Sequence, residues 1–197
     1  MIPGKRNLGA IPSLYPLPFV LCGTYDAQDR PNLAAVAWAG MCCGTPPALQ
    51  ISLRKSRYSY GSILEKRCFS VNLPSEPYAE HADFCGITSG RNVDKFTALK
   101  LTPKRGEFVD APLVAEFPIC LECKLLHVLE VGSHDLLVGE IVASWVSEDC
   151  IEEDGSPNPS KVNPVSYAPV DGLYYTMGYS LGRAFDIGKI YRKGDDK

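Results

Sequence analysis

The sequence predicts a mainly β protein, an antiparallel barrel that is closed or partly closed, with short helices between strands. Three observations predict it. Leu49, Ile51 and Leu53 alternate with Gln50, Ser52 and Arg54, and Phe69, Val71 and Leu73 alternate with Cys68, Ser70 and Asn72, the period of strands with one face in a core. Helical signals are confined to two short stretches. About six strands in an open sheet would leave unpaired edges, which closure removes.

Taken in order, the segments Phe19 to Tyr25 and Leu33 to Met41 read as the first strands. The second is built of small residues, Ala34, Ala35, Ala37, Ala39 and Gly40, around Trp38; small side chains let a flat ring lie close to the backbone. After the strand through Leu49 comes a helix from about Arg57 to Glu65, with Ser56 as N-cap. The strand at Phe69 is followed by a helix around Pro77 to Phe84, with Ser75 before it. Two long late strands run through Ile119 to Val131 and through His134 to Val146, joined tightly across Val131 to Asp135. The acidic run Glu152 to Pro159, rich in turn formers, reads as a surface loop.

At 197 residues the chain is expected to be one domain, 1–197. Its 45% apolar and 22% charged residues are those of an ordinary globular protein. Lys and Arg number 20 against 23 Asp and Glu, a net charge of −3, so no long-range attraction draws it to phosphate backbones or anionic lipid. Nucleic acid and membrane are not expected partners. The segment Met1 to Pro18 is broken by four prolines and has no apolar h-region, and Leu33 to Gly44 falls short of the ~20 residues of a membrane span. A cytoplasmic location follows as an expectation, and with it reduced thiols for eight scattered cysteines. Cys120 and Cys123 have metal-like spacing, but in a strand residues three apart point to opposite faces.

The richest segment for an anion site is Arg54 to Gly61, where a strand ends in basic residues and hydroxyls open a helix. The free N–H groups and positive dipole end of such a helix favour phosphate. A capped helix with solvated basic residues fits the same segment equally well. A second run of turn formers, Gly86 to Phe96, brings Lys95 toward the same role, and a lone Lys there also has an ordinary solvated reading. Trp38 suits a ring contact or a core. His134, beside Asp135, reads as an exposed turn histidine.

The order of these features resembles the flavin reductase-like family of FMN-binding split barrels, and most of all its flavoredoxin branch. The matching stretches are Asn32 to Trp38, Pro46 to Ser52, Arg54 to Ser59, Phe69 to Leu73, Gly86 to Phe96, and Gly132 to Glu140, within a region of about 14–185. The resemblance implies a homodimer with FMN near the subunit interface. It assigns Asn32 and Trp38 to the isoalloxazine side, with Ala34 and Ala35 giving close backbone approach. It assigns Arg54, Ser56, Ser59 and Lys95 to the phosphate and ribityl group, and Asn72 to a strand end near the ring. His134 and Tyr167 match late contacts that the second subunit can supply. No catalytic acid or base is implied, because the flavin carries the electrons. Some members take NADH or NADPH as donor, whereas flavoredoxin-like members serve redox protein partners. A split barrel holding another ligand, such as haem, is the remaining alternative.

Overall fold

The computed structural model describes residues 2–192. Strand alternation becomes pairing from the start: β1 (Leu17–Pro18), β2 (Val20–Tyr25) and β3 (Pro31–Val36) precede β4 (Ala39–Gly44) and β5 (Pro47–Leu53). Helix α1 (Tyr58–Lys66) leads to β6 (Cys68–Leu73), and helices α2 (Ala79–Ile87) and α3 (Lys95–Leu99) follow. After the short β7 (Pro103–Arg105) and β8 (Pro112–Val114) come the long β9 (Ile119–Glu130) and β10 (Asp135–Val146). Helix α4 (Pro159–Val162) and strands β11 (Ser166–Ala168) and β12 (Leu173–Tyr175) complete the set.

Seven strands form one antiparallel sheet in the order β3-β2-β6-β9-β10-β5-β4. The expected mainly β, antiparallel fold is what the chain adopts. Both faces of this sheet are buried at its centre, because β2 sends Val20 and Cys22 into one core cluster and Leu21 into another. The first cluster holds Ile51, Ile63, Phe69 and Leu137; the second holds Leu33, Ala82, Phe96 and Phe117. Cys123 belongs to the first and Cys120 to the second, so the two sulfurs do point to opposite faces. All eight cysteines are free thiols. No helix among the described residues is long and apolar enough to cross a membrane.

Three sequence expectations need correction. The stretch Leu33 to Met41 is not one strand: β3 ends at Val36 and β4 begins at Ala39, so Trp38 sits at the break. There its carbonyl accepts from Ser52 N at 2.8 Å. Ser56 is not the cap of α1. The N-cap is Arg57, in an extended conformation with no side-chain cap bond. The helix placed around Pro77 to Phe84 is a 3-10 turn, Glu76–Tyr78, followed directly by α2, which runs on to Ile87; the proline at the start of the turn supplies a fixed φ where no donor is needed. The run at Glu152 to Pro159 is a surface loop closed by an Ile151 to Pro157 bridge and by Asn158, which caps α4.

A buried carboxylate ties the loop after β7 to the long hairpin. Glu122 is 0% exposed and accepts from the backbone N–H groups of Glu107, Phe108 and Val109 at 3.1, 2.8 and 2.8 Å, and from Trp145 Nε1 at 2.7 Å. Four donors replace the water that the buried group loses. Gly106 is required beside it, since a Cβ there would lie 2.6 Å from Glu122 Oε2. Glu122→Gln turns an amide N–H toward groups that only donate, so stability should fall by about 2–4 kcal/mol. Urea unfolding followed by Trp145 emission measures this, and a variant as stable as the parent would show the carboxylate to be dispensable.

Candidate functional site

The open start of α1 forms one wall of a cavity of about 190 Å³. Ser56, Arg57, Tyr58 and Ser59 come from that wall; Asn32, Ala34 and Ala35 come from β3; Gly86, Thr88, Ser89, Gly90 and Arg91 come from the end of α2 and the loop beyond it. Cys85 and Lys95 complete the lining, in which three residues are cationic and none carries a carboxylate. Without a capping side chain, the first N–H groups and positive dipole end of α1 face the cavity. Ser59 is 0% exposed to bulk solvent, and its Oγ accepts from Thr24 Oγ1 at 3.1 Å and Asn32 Nδ2 at 2.8 Å. Its own proton is therefore left for the cavity. Lys95 is buried too: Nζ donates to Leu33 O at 2.6 Å and Cys85 O at 2.8 Å, leaving the third of its donors free. Burial pushes its pKa down. Asn32 Oδ1 is buried with no partner, an acceptor that a bound donor would satisfy.

A second cavity of about 410 Å³ adjoins the first, sharing Ala35 and Arg57. Its lining combines Pro12, Val36, Ala37, Trp38, Leu53, Tyr167 and Pro169 with the polar Ser52, Arg54, Arg57 and His134. Tyr167 is held in β11 by Phe19 and Tyr174, at centroid distances of 6.2 and 5.5 Å. Arg54 Nε donates to His134 Nε2 at 3.4 Å. That assigns the ring proton to Nδ1, 2.9 Å from Ser133 Oγ. Burial, followed by the charges of Arg54 and Arg57, pushes the His134 pKa down. Next to it, buried Asp135 accepts from the Tyr60 hydroxyl, fixing the hairpin end on α1.

The structure brings ten of the eleven sequence-predicted residues to these cavities. Asn32, Ala34, Ser56, Ser59 and Lys95 line the first, Trp38, Arg54, His134 and Tyr167 the second, and Ala35 both. Asn32, assigned to the ring, stands with the cations and hydroxyls; Arg54, assigned to the phosphate, stands with the aromatics. His134 and Tyr167 line this chain's own cavity, so no second copy is needed to bring them there. Asn72 reaches neither cavity. It is 0% exposed, donates to Leu21 O and Ser70 Oγ, and accepts from Val114 N, a satisfied core amide. Arg57, Thr88 and Arg91 were not singled out, although each lies in a segment that the sequence flagged.

The family model of the flavin reductase like domain matches residues 13–179. The chain belongs to the flavin reductase-like family. It is 50% identical to the flavoredoxin of Desulfovibrio vulgaris (Miyazaki F), with 94% of this chain and 100% of that one covered at a TM-score of 0.90. Flavoredoxin from Methanosarcina acetivorans is 30% identical, with 95% and 100% covered at a TM-score of 0.86. An uncharacterised protein of Aeropyrum pernix is 34% identical over 181 residues, 91% of this chain and 62% of that relative's length.

As a flavin reductase-like protein, the chain is a flavoprotein whose function is flavin-mediated electron transfer. The residues present fit a flavin. Cations, hydroxyls and a helix N-terminus suit its phosphate end, and Trp38 and Tyr167 suit its flat ring. The flavin supplies the hydride and single-electron chemistry; the protein binds, orients and excludes water. Because the folded His134 pKa lies below the ordinary value of about 6.5, the unfolded chain binds more protons as pH falls through that range. Stability from a neutral His134 is thus full above about 6.5 and lost as pH falls through the lowered value. His134→Gln should lose less Tm than the parent between pH 7 and 5; equal losses would show that His134 does not titrate as stated.

Proposed function

We propose that the chain is a single domain, 1–197, that binds FMN and works as a flavoredoxin-like electron carrier between redox proteins. One observation carries this reading. The two cavities meet at Ala35 and Arg57, with hydroxyls, cations and the start of α1 at one end and the rings of Trp38 and Tyr167 at the other. The polar end is made for a monophosphate, and Trp38 with Tyr167 is made for the isoalloxazine. The 50% identity to a flavoredoxin favours the carrier role. The family resemblance supports a homodimer, and eight free thiols with no disulfide suit the cytoplasm. A second reading, an NADH- or NADPH-oxidising flavin reductase, is favoured by the family model itself.

The protein should purify yellow with about one FMN, rather than FAD, per chain. A colourless protein that fails to take up added FMN would end the proposal. As a carrier, its flavin band should persist when NADH or NADPH is added anaerobically; prompt bleaching would establish the reductase reading instead.

Arg91 lines the polar cavity and not the aromatic one. A hydrogen bond to a charged group contributes about 1.5–3 kcal/mol, so Arg91→Ala should weaken FMN by roughly ten- to a hundredfold. Riboflavin, without phosphate, should be held as before, whereas Trp38→Ala should weaken both flavins. Fluorescence titration reads all of these, and equal loss of both flavins in Arg91→Ala would refute the phosphate assignment.

A further inference from the structure

Asp26 closes the turn between β2 and β3 and is not part of the polar cavity's lining. Its two oxygens do different things. Oδ1 accepts from the backbone N–H groups of Gln28 and Arg30, at 2.8 and 2.9 Å, which is the turn itself. Oδ2 accepts from Arg30 Nε at 2.8 Å and from the Tyr58 hydroxyl at 2.7 Å. Arg30 Nη2 donates in turn to that hydroxyl at 3.1 Å. The Tyr58 side chain is thereby gripped at its far end by a buried carboxylate and an arginine.

What rests on the Tyr58 ring is the loop after α2. At Gly90 a Cβ would lie 2.7 Å from Tyr58 Cδ1 and 2.1 Å from Asn32 Oδ1, so the loop backbone lies directly on these side chains and position 90 admits only glycine. The Arg91 guanidinium sits over the ring, 5.6 Å from its centroid, and Nη1 donates to Ser56 O at 3.1 Å. Tyr58 is the platform on which one wall of the polar cavity meets the other.

We infer that Asp26 is a positioning residue of the flavin site, which sets the preference for phosphorylated flavin by holding Tyr58, and through it Gly90 and Arg91, against the start of α1. The inference rests on the phosphate assignment made above. Arg30 neutralises Asp26, so the carboxylate holds the platform without opposing an anion next to it. Burial works against its ionisation, yet the bonds from Tyr58, Arg30 and Gln28 hold its pKa down at about 2. The grip is therefore present at every pH at which the protein would work.

Tyr58→Phe removes the link and leaves the Oδ1 turn, the ring and Arg91 in place. The FMN-to-riboflavin affinity ratio should drop roughly fivefold, the effect of one ordinary hydrogen bond, whatever the change in Tm. Asp26→Asn should lower the FMN-to-riboflavin ratio in the same direction, whatever it does to Tm. In an Arg91→Ala background neither substitution should change the ratio further, because the residue they position is gone. An unchanged ratio in both single variants, or full additivity with Arg91→Ala, would overturn the inference while leaving the phosphate assignment intact. A parent protein with no preference for FMN over riboflavin would overturn both.

Discussion

A buried ammonium with no carboxylate beside it is the constraint around which the polar cavity is organised. Lys95 Nζ lies where β3, α2 and α3 meet, held by the carbonyls of Leu33 and Cys85. Two neutral acceptors compensate a buried charge only in part, and burial accordingly favours its neutral form. The same ammonium is what holds the end of α2 against β3, so it cannot be withdrawn to solvent without opening the cavity. Arg57 and Arg91 add to the positive field rather than relieve it. An anion bound there would meet these charges at the open start of α1.

The fold was legible because its signal is local. Alternation in Leu49 to Leu53 and Phe69 to Leu73 depends only on which face of a strand is wet, and those segments lie within β5 and β6. Opposed faces for Cys120 and Cys123 followed from the same period. Trp38 was misplaced for a physical reason: a run of Ala and Gly has no large side chains to mark a face, so the break between β3 and β4 leaves no trace in the alternation. Ser56 failed as a cap because the extended residue is Arg57, a backbone choice that residue type alone does not dictate.

The site was legible as a set of residues and not as an arrangement. Ser56, Ser59 and Lys95 stand together because the ends of β5 and α2 converge on β3, which the motifs suggested. That Asn32 lies with the hydroxyls and Arg54 with the aromatics could not be read, since it depends on where β3 and the start of α1 cross. Asn32 faces inward to Ser59, whereas Arg54, four residues before the helix, is turned back to His134 across the sheet. The surroundings of Asn72 could not be read, because a strand-end amide looks alike whether it faces a ligand or a carbonyl. Its partners Leu21 and Val114 come from strands far apart in sequence.

The cavities offer little chemistry of their own to compete with a bound flavin. Burial pushes the Cys85 thiol up to about 11, so the one sulfur on the polar cavity is protonated at neutral pH and is a poor nucleophile. Cys120 and Cys123 are pushed up by burial to about 12 and lie in the core. His134 is held toward its neutral form, and its Nε2 is occupied by Arg54. A family function of flavin-mediated electron transfer places the redox chemistry on the flavin, and these thiols and this histidine, each shifted toward its neutral form, leave it uncontested.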